Sequence, residues 1–125
     1  MSNDYQLGLL YLVHLLVSAD GFVDENEKKA LQLIKNREGI SDDVFSQFEH
    51  DVLSRKERDI YQAGIERLNN CSEEEKLKAF VILYKMSEVD GRVHVKEVRL
   101  LLYSIKMAGI EFDDVVNAAA KTSLI

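Results

Sequence analysis

Proline and tryptophan are absent, cysteine occurs once, and six glycines are all that interrupt 125 residues. Without proline no helix is forced to break, so breaks must come from glycine and from polar caps. A lone Cys71 excludes a disulfide within the chain and fits a reducing compartment, with the cytoplasm as the expected location. Long apolar runs are missing too. The longest, Leu7 to Val17 with His14 inside it, is too short to span a bilayer, and Met1-Ser2-Asn3-Asp4 lacks the basic stretch that opens a signal peptide. A soluble protein with no direct membrane insertion is expected. An excess of basic charge is also lacking: the net charge is −6. Residues 1–62 hold 12 acids and 7 bases, and 63–125 hold 10 and 9, so the acidic excess sits in the first half. Nothing here is a footprint for nucleic acid, whose phosphates demand clustered Lys and Arg.

What remains is 46% hydrophobic and 30% charged, the balance of a chain that folds unaided, and Leu, Lys, Glu and Ala fill the long stretches. These residues lose little rotamer freedom in a helix, and the composition reads all-α. At this length folding buries roughly two-thirds of the unfolded surface, enough for one core. From Tyr5 to Ala19 almost every position is apolar, which predicts a helix at the centre of the fold. Asp20-Gly21 stops it, and Asp24 with Glu27 forms a capping box for a second helix ending at Gly39. Ser41-Asp42-Asp43 caps a third segment carrying Val44, Phe45, Phe48, Val52 and Leu53. A charged turn over Ser54 to Asp59 follows. Ile60, Tyr61, Gly64, Ile65 and Leu68 then continue at helical spacing to Asn69, and Ser72 with Glu75 opens another long apolar helix through Leu77, Phe80, Val81, Leu83, Tyr84 and Met86.

Laying 9–40 over 79–110 without a gap pairs Asp20 with Asp90, Gly21 with Gly91, Val23 with Val93 and Glu27 with Glu97. The same register pairs Leu31 with Leu101, Gly39 with Gly109 and Ile40 with Ile110. These seven identities fall on the residues that start and stop helices. Past Ile40 and Ile110 the match continues with one extra residue in the second copy. The expected architecture is therefore a single domain over 1–125 with internal repeats at about 9–45 and 79–116. It comprises two three-helix units and a linking helix from about Lys56 to Asn69, roughly seven helices in all.

The shared signature is D-G-x-V-x-x-x-E. It matches the back half of an EF-hand loop, but the first ligand position would fall on Leu16 or Met86, which cannot bind calcium. Read structurally, Gly closes one helix, Val packs inward and the Glu completes the next cap. Read functionally, two turns facing each other about a pseudo-twofold axis would offer Asp20, Glu27, Asp90 and Glu97 to a divalent cation, with His94 standing where the first copy has Asp24. The structural reading is the simpler. No motif requires a cofactor; a divalent cation is the one these turns would accept.

The run Val17-Ser18-Ala19-Asp20-Gly21-Phe22-Val23-Asp24-Glu25-Asn26-Glu27 resembles the TerB family, the tellurite-resistance-associated helical domain also found at the N-terminus of DnaJ-like membrane co-chaperones. Ser87 to Glu97 is its weaker echo, and the resemblance runs from about Leu9 to Val116. It implies an all-helical duplicated fold without known catalysis and a metal-chelating or interaction role within stress-response assemblies at the inner membrane face. The implied site carries over to Asp20, Glu27, Asp90 and Glu97 alone. His94 departs from the family pattern, and the chain has neither a J domain nor a membrane segment, so a co-chaperone role does not transfer.

Other residues look chemical without company. His14 has no second histidine one turn away and reads as a buried, hydrogen-bonded side chain; His50 sits in an acidic, exposed segment. Cys71 precedes the capping Ser72 but has no histidine near it to act as base. No nucleophile elbow or phosphate loop is present, and Tyr11, Phe80, Tyr84 and Tyr103 fall at core-like positions. The expected function is non-catalytic binding to a protein partner or to a second copy. The alternative is a divalent-metal-binding domain using the paired acidic turns.

Overall fold

The computed structural model describes residues 3–17, 25–88 and 103–121, all of the regular structure there being helical. Helix α1 covers Asn3–Val17, α2 Glu25–Glu38, α3 Asp42–Ser54, α4 Glu57–Asn69 and α5 Glu73–Glu88. A helical segment over 103–107, α6, is followed by α7, Phe112–Ala119. Seven helical segments and no strand among the described residues agree with the all-α class read from composition.

Helix α1 is the axis of the fold. Tyr5, Leu7, Leu9, Leu10, Tyr11, Leu12 and Val13 are almost wholly shielded from water, as its nearly continuous apolar sequence requires. It packs against α2, α3, α4 and α5, and α5 packs in turn against α7. Phe80, Ile82 and Leu83 bring α5 into the same core, which also takes Ile34, Phe48, Ile60, Leu68, Ile105 and Val115.

The approach of α1 to α4 is set by two glycines. A Cβ on Gly8 would stand 2.9 Å from Leu68 Cγ and 3.1 Å from the Gly64 carbonyl oxygen. One on Gly64 would stand 3.1 Å from Leu12 Cδ2 and 3.3 Å from Tyr11 Cβ. Real Cβ atoms seldom come this close, so the two backbones approach to a distance that any larger residue would open.

The predicted serine caps and glycine stops are seen where they fall on described residues, whereas the charged turn expected over Ser54 to Asp59 shrinks to Arg55 and Lys56, because α4 already begins at Glu57. Ser41 caps α3, its hydroxyl accepting from the Val44 amide at 3.3 Å. Ser72 and Glu75 form a reciprocal box: the Glu75 amide donates to Ser72 Oγ at 3.2 Å, and the Ser72 amide donates to Glu75 Oε1 at 3.3 Å. The stops at Gly39 and Gly109 are alike, with φ of 62° and 73°. After each, the next amide reaches back five residues: Ile40 to the Lys35 carbonyl at 3.0 Å and Ile110 to the Ile105 carbonyl at 3.1 Å. These are 6→1 closures in which only the glycine adopts a left-handed backbone without steric cost.

The helices after these stops begin in the same register. The Phe45 amide donates to the Ser41 carbonyl at 3.0 Å, and Val115 to that of Glu111 at 3.3 Å, again 70 residues apart. Their buried faces do not keep that spacing. Val44 and Phe48 face inward from α3, whereas Val115 and Ala119 do so from α7, 71 residues on. The extra residue in the second copy turns the apolar stripe by one helical position.

Helix α5 is fastened near its start to the end of α6. Lys76, 8% exposed, donates from Nζ to the Ala108 carbonyl at 3.2 Å at the close of α6 and pairs with Glu73 at 3.2 Å. A cation is favoured there because the last carbonyls of a helix carry partial negative charge.

Candidate functional site

Of the acidic residues expected to form a site, Asp20, Asp90 and Glu97 lie outside the described residues, and Glu27 lies in α2 with its side chain outside them. Among the described residues, no three or more His, Cys, Asp and Glu side chains come together to hold a metal ion.

What the described residues do assemble is a pair of tyrosine–carboxylate contacts on α1. Glu38, the last residue of α2, has a side chain only 3% exposed. The Tyr5 hydroxyl donates to Glu38 Oε1 at 2.7 Å, and Lys78 Nζ of α5 lies 3.2 Å from the same oxygen. Arg37 Nε is 3.8 Å from Oε2. One carboxylate thereby ties α2 to both α1 and α5. Burial would leave that charge costly without partners, and it has one hydroxyl donor and two nearby cations. Two turns further along α1, the Tyr11 hydroxyl donates to Asp51 of α3, and the Arg67 guanidinium lies 6.0 Å from the Tyr11 ring centre while pairing with Asp4 at 3.1 Å.

These surroundings make both phenols poor acids. Burial, the hydrogen bond to Glu38 and the charge of that carboxylate push Tyr5 far above the usual tyrosine value. Burial and then Asp51 push Tyr11 up to about 12. Tyr61 is raised by burial, partly offset by Ser104 beside it. A tyrosine whose folded-state pKa exceeds its unfolded value near 10 contributes stability that is complete below pH 10 and is lost as pH rises through the folded value. Alkaline titration is therefore expected to destabilise the domain between pH 10 and about 12. Tyr11→Phe should make the fall of melting temperature with pH shallower; a slope unchanged from the parent would discount Tyr11 as a contributor.

The surface carries a second feature, on α6. Tyr103 and Met107 are 57% and 51% exposed and sit one turn apart on one face. The Tyr61 ring of α4 lies 5.9 Å from that of Tyr103. The expectation that Tyr103 belongs to the core is corrected here: Ser104, Ile105 and Ala108 take the inward stripe instead. In the sequence Leu-Leu-Tyr-Ser-Ile-Lys-Met-Ala two apolar stripes run at helical spacing, and only contact with neighbouring helices selects between them. Tyr11 and Phe80 are buried as expected, and Tyr84 is half-buried with its ring edge-on to Phe112 at 6.1 Å. Leu53, expected on the apolar face of α3, is 88% exposed because it lies beyond the stripe of Val44 and Phe48.

The remaining candidates are ordinary side chains. His14 is half-buried rather than buried, its ring edge-on to Phe48 at 6.1 Å, and His50 is exposed as expected. Cys71 is half-buried, with Sγ donating to the Arg67 carbonyl at 3.4 Å. No described helix is long and apolar enough to cross a membrane.

No family model and no curated protein matches the chain. Among solved structures, the chain is similar to a protein of unknown function, PG1108, from Porphyromonas gingivalis W83. The match has a TM-score of 0.67 at 17% identity and covers 98% of each chain. The likeness establishes a shared all-helical fold over nearly the whole length.

Proposed function

We propose that this chain is a TerB-like, non-catalytic binding module, acting through a protein partner or a second copy of itself within a stress-response or membrane-associated assembly. The observation that carries the reading is the exposed pair Tyr103 and Met107, backed by the Tyr61 ring. A flexible thioether beside an aromatic ring is the composition favoured at contact surfaces, where both gain more from burial than from water. The tyrosine–carboxylate contacts on α1 favour the same conclusion from the other side. Their hydroxyls already donate to carboxylates, and their raised pKa values suit cross-links better than bases or nucleophiles.

Tyr103→Ser combined with Met107→Ser tests the surface. The pair is expected to abolish capture of whatever protein the unmutated chain retains from a cell extract, or to abolish its self-association in sedimentation. Melting should shift by no more than a few degrees, because both side chains are half in water already. Equal capture and equal sedimentation by the variant would remove this face from the proposal.

The second reading is divalent-metal binding by Asp20, Glu27, Asp90 and Glu97, favoured by the recurrence of D-G-x-V-x-x-x-E at a 70-residue shift. A cation present at a hundred times its dissociation constant stabilises by about 2.7 kcal/mol. For a domain of this size that is a rise of roughly 10 °C in melting temperature. Chelator-treated protein melted with millimolar calcium, magnesium, manganese or zinc should show that rise, and Asp20→Asn with Asp90→Asn should erase it. Melting curves that coincide for all four cations would assign the turns to capping alone. In that case Glu27→Ala costs about 1 kcal/mol with or without metal.

A further inference from the structure

We draw no further inference here: the strongest candidate, the exposed apolar face of Tyr103 and Met107 on α6 beside Tyr61, belongs to the binding surface already proposed, and nothing in the structure shows what covers it.

Discussion

Gly8→Val is expected to lower stability by about 3 kcal/mol or more, roughly 10 °C in melting temperature for a domain of this length. The first added carbon alone would stand 3.1 Å from the Gly64 carbonyl oxygen, a backbone atom that cannot rotate aside, and 2.9 Å from Leu68 Cγ. Valine then adds two more carbons in a crevice with no space for the first. Relief requires α1 and α4 to move apart, and α1 is held on its other sides by α2, α3 and α5. The strain therefore spreads through the core. Gly39→Ala provides the contrast. Its Cβ would meet nothing within 4 Å, so only the left-handed backbone at φ 62° opposes it. That cost is about 1 to 2 kcal/mol. Thermal or urea melts of the two variants should rank Gly8→Val well below Gly39→Ala. A Gly8→Val protein as stable as its parent would refute the close approach of α1 and α4.

The second large effect is expected at Glu38. Glu38→Ala removes the acceptor of the Tyr5 hydroxyl and the partner of Lys78, and leaves space where a buried side chain stood. Losing a hydrogen bond to a charged group costs about 1.5 to 3 kcal/mol, and the cavity adds to it. Glu38→Gln, which keeps an acceptor oxygen and the shape, should cost less. A double-mutant cycle with Tyr5→Phe isolates the contact: the two single losses should exceed the loss in the combined variant by about 1 kcal/mol or more. Strict additivity would mean that the tyrosine and the carboxylate do not cooperate. Lys78 is expected to matter less than Tyr5, since its side chain is 43% exposed and solvent screens the pair.

Much of this fold is legible in the amino-acid sequence, because its signals are local. The absence of proline, the continuous apolar run on α1 and the serine caps at Ser41 and Ser72 act within a few residues of themselves. A Ser72–Glu75 box or a left-handed glycine at 39 and 109 is specified by chemistry inside one turn of chain. The one-residue slip between the copies after Ile40 and Ile110 was likewise readable in the alignment, and it reappears as the change from 70 to 71 in the spacing of buried positions.

The candidate site was legible only in part, for reasons visible at particular residues. The two D-G-x-V-x-x-x-E motifs stand out because the sequence repeats them, yet Asp20, Asp90 and Glu97 fall outside the described residues. Glu38 carries no such signal. It is one acid among many at a helix end, and nothing in its neighbourhood marks it as the single carboxylate that Tyr5 and Lys78 reach from 33 and 40 residues away.

The sequence alone determined that the chain is helical, where most of the described helices begin and end, and that Gly39 and Gly109 close helices alike, since propensity, caps and glycine stops act over short distances. The tertiary structure decided which stripe of each helix is inside. It turned Ser104 in and Tyr103 out, left Leu53 in water, and drew α1 against α4 at Gly8 and Gly64. Those choices depend on what lies across the interface, and a residue's own neighbours in the chain carry no record of which distant side chains will meet it.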